Sequence, residues 1–307
     1  MRAADAYEVD VAGVPLRIRD SGPADGVPVL LIHGIARSLE DWTDSHDLLA
    51  ERGYRVISTD LPGFGFSRRG AARPGLVAFA RTMTGLLDAA GVAAPVHVMG
   101  NSLGGGVAMT LAVEHPERVA SVTLVNSIGF GSEVNISALP MAYGALAGLP
   151  GLRGTFGPRA REAGANTIRD LFHDRSLATP AQLKHAGALA RQRDFRATFL
   201  VTAATLGAPV VGVRSGWRRD LLARLAATGL PVLVVWGDDD RILPPKHLQA
   251  AASALPRART HLFRHTGHMP QVEKPEDFTA LVGTFVDEVD EARALEQLDR
   301  AEERKHR

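Results

Sequence analysis

The chain has 307 residues, 45% of them hydrophobic and 22% charged, with a formal net charge of +1. That length holds one large α/β domain with an insertion, or two small domains, and the near-zero charge gives no electrostatic case for nucleic acid or an anionic membrane as partner. Cysteine is absent, which excludes disulfides, thiolate catalysis and Cys-ligated zinc.

The N-terminal stretch MRAADAYEVDVAG has no apolar core of a signal peptide, and no uncharged run of about 18 apolar residues occurs. A cytoplasmic location without membrane attachment is the expectation. In chain order, YEVDVAG and VPLRIRD read as a hairpin around Gly13. VPVLLIHG (27–34) is a continuous apolar run ending in Gly, as in a strand buried on both faces. Residues 39–52 have helical spacing and stop at Gly53, and YRVISTD (54–60) is the next buried strand. A helix is expected over 74–91, a short strand at VHVMGN (96–101), a helix from Leu103 with Pro116 just beyond its end, and a strand over 119–127.

After Ser127 the pattern changes. Residues 130–228 hold helical segments punctuated by Gly and Pro and no convincing buried strand. The βαβ rhythm resumes at LPVLVVWG (230–237), with a helix at PPKHLQAAASAL, a last strand ARTHLFRH (258–265) that includes His265, and a last core helix at PEDFTALVGTFVDEV. Alternating strands and helices argue for a mainly parallel sheet covered on both faces. The expected organisation is a core of residues 1–128 and 229–290, an inserted helical cap over 129–228, and a charged C-terminal extension over 291–307.

The chemistry-bearing motif is Gly100-Asn101-Ser102-Leu103-Gly104, a G-x-S-x-G with a strand leading in and a helix leading out. A serine at such a sharp turn is strained, with its hydroxyl projecting from the sheet; Gly100 and Gly104 let strand and helix approach. The helix N-terminus favours a developing anion beside it. A serine nucleophile needs a base, and His268, just after the last strand in Thr266-Gly267-His268, is the candidate. His46, His115, His185 and His247 read as helix-face or helix-end residues without special role. The imidazole needs an orienting carboxylate, and Asp238, Asp239 and Asp240 all follow the strand ending at Gly237; position alone does not separate them. The strand ending near Asn126 offers an amide and no carboxylate.

Together these pieces resemble the α/β-hydrolase superfamily over about residues 7–127 and 229–287: the His33-Gly34 turn, DLPGFGFS (60–67), GNSLGG, WGDDDRILP and TGHMPQVEKPEDF. The resemblance implies an eight-stranded, mainly parallel sheet and the acid of a W-G-x-x-D-x-x-x-P pattern, which selects Asp240, followed by Pro244. It also implies an oxyanion hole from the backbone N–H groups of Ile35 and Leu103. His33, Gly34, Gly100, Asn101 and Gly104 would support the elbow, and DLPGFGFS would be a turn without chemistry. The triad class calls for no metal and no cofactor.

The expected activity is hydrolysis of a small to medium, mostly apolar carboxylic ester through an acyl-enzyme on Ser102. One alternative is a carbon–carbon bond hydrolase acting on ring-cleavage products, a ketone-type substrate. Such enzymes typically carry Trp after the base and an Arg in the cap; here Met269 follows His268, and Arg191, Arg193 and Arg196 are candidates for that Arg. Another alternative is a hydrolase-fold receptor with little turnover. Phe156, Phe172, Phe195, Phe199, Met141 and Tyr143 are candidates for an apolar pocket, and homo-oligomerisation is left open.

Overall fold

The computed structural model of the chain describes residues 5–135, 146, 151–208 and 212–305. Strands β1 (Tyr7–Val11) and β2 (Val14–Ser21) form the expected antiparallel hairpin. Its tight turn places Ala12 and Gly13 at φ +53° and +83°, the left-handed geometry that a two-residue hairpin loop needs. They join β3 (Pro28–Ile32), β4 (Arg55–Thr59), β5 (Val96–Asn101), β6 (Val119–Val125), β9 (Val232–Gly237) and β10 (Arg259–Phe263) in one eight-stranded sheet. The order is β1-β2-β4-β3-β5-β6-β9-β10, parallel from β4 to β10.

The apolar runs are explained by burial on both faces. Leu30 and Ile32 point to a cluster shared with α2 (Leu76–Ala89) and α3 (Leu103–Glu114), while Val29 and Leu31 point to a second cluster with α1 (Thr43–Glu51) and α10 (Pro275–Lys305). The chain leaves β3 for β4 on one side and returns to β5 on the other. The loops after β3 and β5 therefore part at the carboxyl edge and open a crevice there, the usual ligand position in open parallel sheets.

Between β6 and β9 lie α4 (Arg153–Arg169), α5 (Pro180–Leu189), α6 (Phe195–Leu206) and α7 (Ser215–Thr228). A two-residue antiparallel pair, β7 (Gly207–Ala208) with β8 (Gly212–Val213), sits among them. Helices α8 (Lys246–Ala254) and α9 (Pro270–Glu273) complete the chain. Two details differ from expectation. Residues Leu39–Trp42 are a 3-10 turn, so α1 starts at Thr43. Pairing of β10 with β9 stops at Phe263, and His265 stands beyond the strand at φ +50°, where the loop turns back over Gly237. Helix α10 runs unbroken to Lys305 because no Gly or Pro interrupts residues 284–305. Among the described residues, no helix is long and apolar enough to cross a membrane.

Candidate active site

Ser102 occupies the turn between β5 and α3 at φ +54°, ψ −112°, a conformation that a non-glycine residue holds only when its surroundings enforce it. They do so with backbone bonds: the Ser102 N–H donates to Val125 O at 3.0 Å, and Ser102 O accepts from Gly105 and Ile128 at 3.1 and 3.2 Å. The two motif glycines are steric requirements. A Cβ on Gly100 would lie 2.2 Å from the Gly104 carbonyl, and one on Gly104 would lie 2.1 Å from Ile32 O.

Leu103 is the first residue of α3, so its N–H is among those a helix leaves without an internal partner. Gly34 packs against the elbow: a Cβ there would lie 3.3 Å from Ser102 Cβ and from Asn101 Oδ1. This close approach puts the turn carrying Ile35 beside Ser102. His33 is fully buried and accepts the Leu61 N–H at Nε2 (2.9 Å), which leaves Nδ1–H to donate to Gly34 O at 2.6 Å. Burial lowers its pKa, so it stands as a neutral strut and not as a second base. Asn101 donates from Nδ2 to the carbonyls of Val125 and His268, at 3.2 and 3.0 Å.

The structure separates the three carboxylates. Asp240 Oδ2 accepts from His268 Nδ1 at 2.8 Å, and its Oδ1 accepts the N–H groups of Ile242 and Leu243 at 2.8 and 2.9 Å. Asp238 instead receives the Thr266 N–H, and Asp239 binds Arg241 and His173. Asp240 fixes the imidazole with Nδ1 protonated, leaving Nε2 free to take a proton. DLPGFGFS is held by its own first residue: Asp60, fully buried, accepts from Leu39 N–H, Phe66 N–H and Arg17. Its pKa is raised by burial, opposed by His33 and Arg17.

Three contributors carried no recognised signal in the sequence. Asn126 donates to Asp240 Oδ2 at 2.7 Å. Leu171, between α4 and α5, accepts the His268 N–H at 2.8 Å. Glu273 accepts the N–H of Gly267 at 2.6 Å and of His173 at 2.8 Å, with its pKa raised by burial despite these bonds. The histidines set aside also prove busier than expected. His46, His185 and His247 are buried, and each hydrogen-bonds a neighbour: Ser58, Ser38 and Glu133. Their helix faces pack inward, so burial forces them to find partners.

Ser102 and His268 open into a cavity of about 810 Å³. Gly34, Ile35 and Met269 line its floor, and α4, α5 and α6 supply its walls. Of the expected pocket aromatics, Phe195 and Phe199 line it, stacked with ring centroids 6.2 Å apart. Phe172 packs into the core instead, Phe156 is not part of the wall, and Met141 and Tyr143 lie outside the described residues. Arg161, Lys184, Arg191 and Arg196 line the cavity, whereas Arg193 does not. None of these four cations has a carboxylate partner among the described residues, and no Asp or Glu is in the described lining. A fifth cation, Arg37, is neutralised by Asp41 at 2.5 and 2.8 Å. No cluster of metal-ligating side chains occurs among the described residues.

A family model described as alpha/beta hydrolase fold matches residues 27–275. The chain belongs to that family. This α/β hydrolase is 37% identical, over 91% of its length and 69% of the other, to the dihydrolipoyllysine-residue acetyltransferase component of an acetoin cleaving system from Cupriavidus necator. It is 31% identical to a 2-hydroxymuconate semialdehyde hydrolase from a Pseudomonas species, covering 93% of this chain and 95% of that one. Among solved structures, a meta-cleavage product hydrolase from Pseudomonas fluorescens superposes with a TM-score of 0.73 at 25% identity, covering 92% and 97% of the two chains.

Proposed function

We propose that this α/β hydrolase uses Ser102, His268 and Asp240 to cleave a carbon–carbon bond beside a carbonyl in a substrate with an apolar body and a carboxylate end. The observation that carries this reading is the charge of the cavity: four cations, without acidic partners among the described residues, in a mostly apolar lining. An anion in that lining gains charge-assisted hydrogen bonds in a partly dry site. The relatives named as hydrolases of 2-hydroxymuconate semialdehyde and of other meta-cleavage products support the same direction. Residues 129–228 act as a cap over a core of residues 1–128 and 229–290, and the charged extension over 291–307 continues the last core helix as far as it is described, to Lys305.

In this mechanism Ser102 Oγ bonds to the keto carbon while its proton passes to His268 Nε2. The tetrahedral oxyanion is held by the N–H groups of Ile35 and Leu103, each worth on the order of 3 kcal/mol. The carbon–carbon bond then breaks, its electron pair delocalises into the conjugated carboxylated fragment, and that fragment takes the proton from His268. Water, deprotonated by His268, releases the second acid from Ser102. Cap cations hold the carboxylate end away from the serine so that the keto carbon meets it.

A second reading, ester hydrolysis by the same steps with an alcohol as leaving group, is favoured by Met269, which stands where the carbon–carbon hydrolases typically carry Trp. Assays of 2-hydroxymuconate semialdehyde, a 6-phenyl dienoate analogue and p-nitrophenyl esters separate the two. The Ser102→Ala variant should lose on the order of 10⁶-fold in kcat on whichever substrate is turned over. Arg191→Ala with Arg196→Ala should raise KM about tenfold for the carboxylated substrates and leave an uncharged ester unaffected, one charged hydrogen bond being worth that much. Efficient turnover of neutral esters alone would move the assignment to the second reading, and binding without turnover would make the protein a receptor.

A further inference from the structure

We infer that Asn126 is a positioning residue of this site, its one side-chain amide group fixing both the acid and the loop that carries the base. The inference rests on Ser102, His268 and Asp240 being the reacting trio. Asn126 Nδ2 donates to Asp240 Oδ2 at 2.7 Å, the same oxygen that accepts His268 Nδ1–H at 2.8 Å. The second amide hydrogen points to Gly267 O at 3.3 Å, the residue just before His268. The Asn126 backbone N–H is bonded to Val235 O at 3.0 Å, which anchors it to β9, the strand that delivers Asp240.

Three costs meet at this residue. Its backbone is left-handed at φ +41°, it is fully buried, and its Oδ1 has no hydrogen-bond partner among the described residues. A residue selected only for packing at the end of β6 would carry none of them. With Oδ1 of Asp240 already held by two backbone N–H groups, the Asn126 donor completes a grip on both carboxylate oxygens. The carboxylate then cannot rotate, and a lone pair of Oδ2 stays aimed at the imidazole.

The test uses Asn126→Gly, which adopts the left-handed conformation without strain, and Asn126→Asp, which keeps the shape but replaces the donor by a charge. The readouts are the rate of Ser102 labelling by a fluorophosphonate, followed by intact mass, and the downfield NMR resonance of His268 Nδ1–H. Labelling should slow roughly 10- to 100-fold in both variants, the range of one hydrogen bond to a charged group, and the resonance should shift. In an Asp240→Asn background the same substitution should cost less than about twofold more, because both act through one carboxylate. Unchanged labelling and an unmoved resonance in either folded variant would overturn the inference. So would a loss that simply adds to that of Asp240→Asn. Labelling that survives in Ser102→Ala would instead sink the trio itself, and this inference with it.

Discussion

The sheet and the inserted helices obey different rules. In β5, β6 and β9 every residue is buried, and the elbow between them leaves no room for a methyl group at Gly100 or Gly104. Helix α4 has no buried residue, and α6 buries only Thr198 and Thr202, whose hydroxyls lack hydrogen-bond partners among the described residues. The proposed reacting groups therefore sit on a platform that tolerates little displacement, while the cavity walls from α4 and α6 bury few residues and include small ones such as Ala160, Gly164 and Ala165. Such a division lets specificity change without disturbing the reacting geometry.

The same one-methyl substitution made in both regions should break this contrast open. Gly104→Ala drives a Cβ to within 2.1 Å of Ile32 O and 2.7 Å of its carbonyl carbon, both backbone atoms of a central strand. The expected loss exceeds about 4 kcal/mol, read as a collapse of the urea midpoint or as insoluble protein. A smaller effect of the platform is its acid sensitivity. His46 on α1 is held down to about 4, mainly by burial and then by the positive charge of Arg19. Its Nε2 is buried without a partner among the described residues. Between pH 6.5 and about 4 the unfolded chain carries a proton that the folded chain refuses, so stability falls as pH drops through that window. The full loss is about 3 kcal/mol, and His46→Gln should flatten the profile in thermal melts at pH 7 and 4.5. The smallest effect belongs to Gly164 in α4, which lines the cavity and has nothing within 4 Å of its missing Cβ. Gly164→Ala should raise stability by up to about 1 kcal/mol through helix propensity alone, measured by the same urea midpoint.

The platform was also the legible part of the sequence. Buried strands announce themselves as apolar runs, and the elbow needs glycines at fixed positions, so the sheet and Ser102 follow from local pattern. The proposed acid was harder to single out, since Asp238, Asp239 and Asp240 differ only in how the loop after β9 curls. That curl depends on backbone N–H groups and on Asn126, 114 residues away. Glu273 and Leu171 were invisible for the same reason: their bonds to the base loop join segments that meet only in the fold. In the inserted helices, periodicity located elements but not their cavity faces. Phe172, flanked by charged residues in RDLFHDR, turns into the core, whereas Phe199, in the apolar run TFLV, turns into the cavity.

The bond from the His268 N–H to Leu171 O bears on how such proteins can recombine. The backbone of His268, the proposed base, is tethered to a residue that belongs, by chain position, to the inserted segment. Gly267 fits against the same stretch, where a Cβ would strike Leu171 O and the His173 N–H nitrogen at 2.7 Å. The insertion is thus no interchangeable module clipped onto a finished enzyme. A chimaera exchanging residues 129–228 wholesale would take one of the supports of His268 with it. Exchange of α5 and α6 alone, with Leu171–Asp174 and Glu273 left in place, would keep that support while presenting new walls.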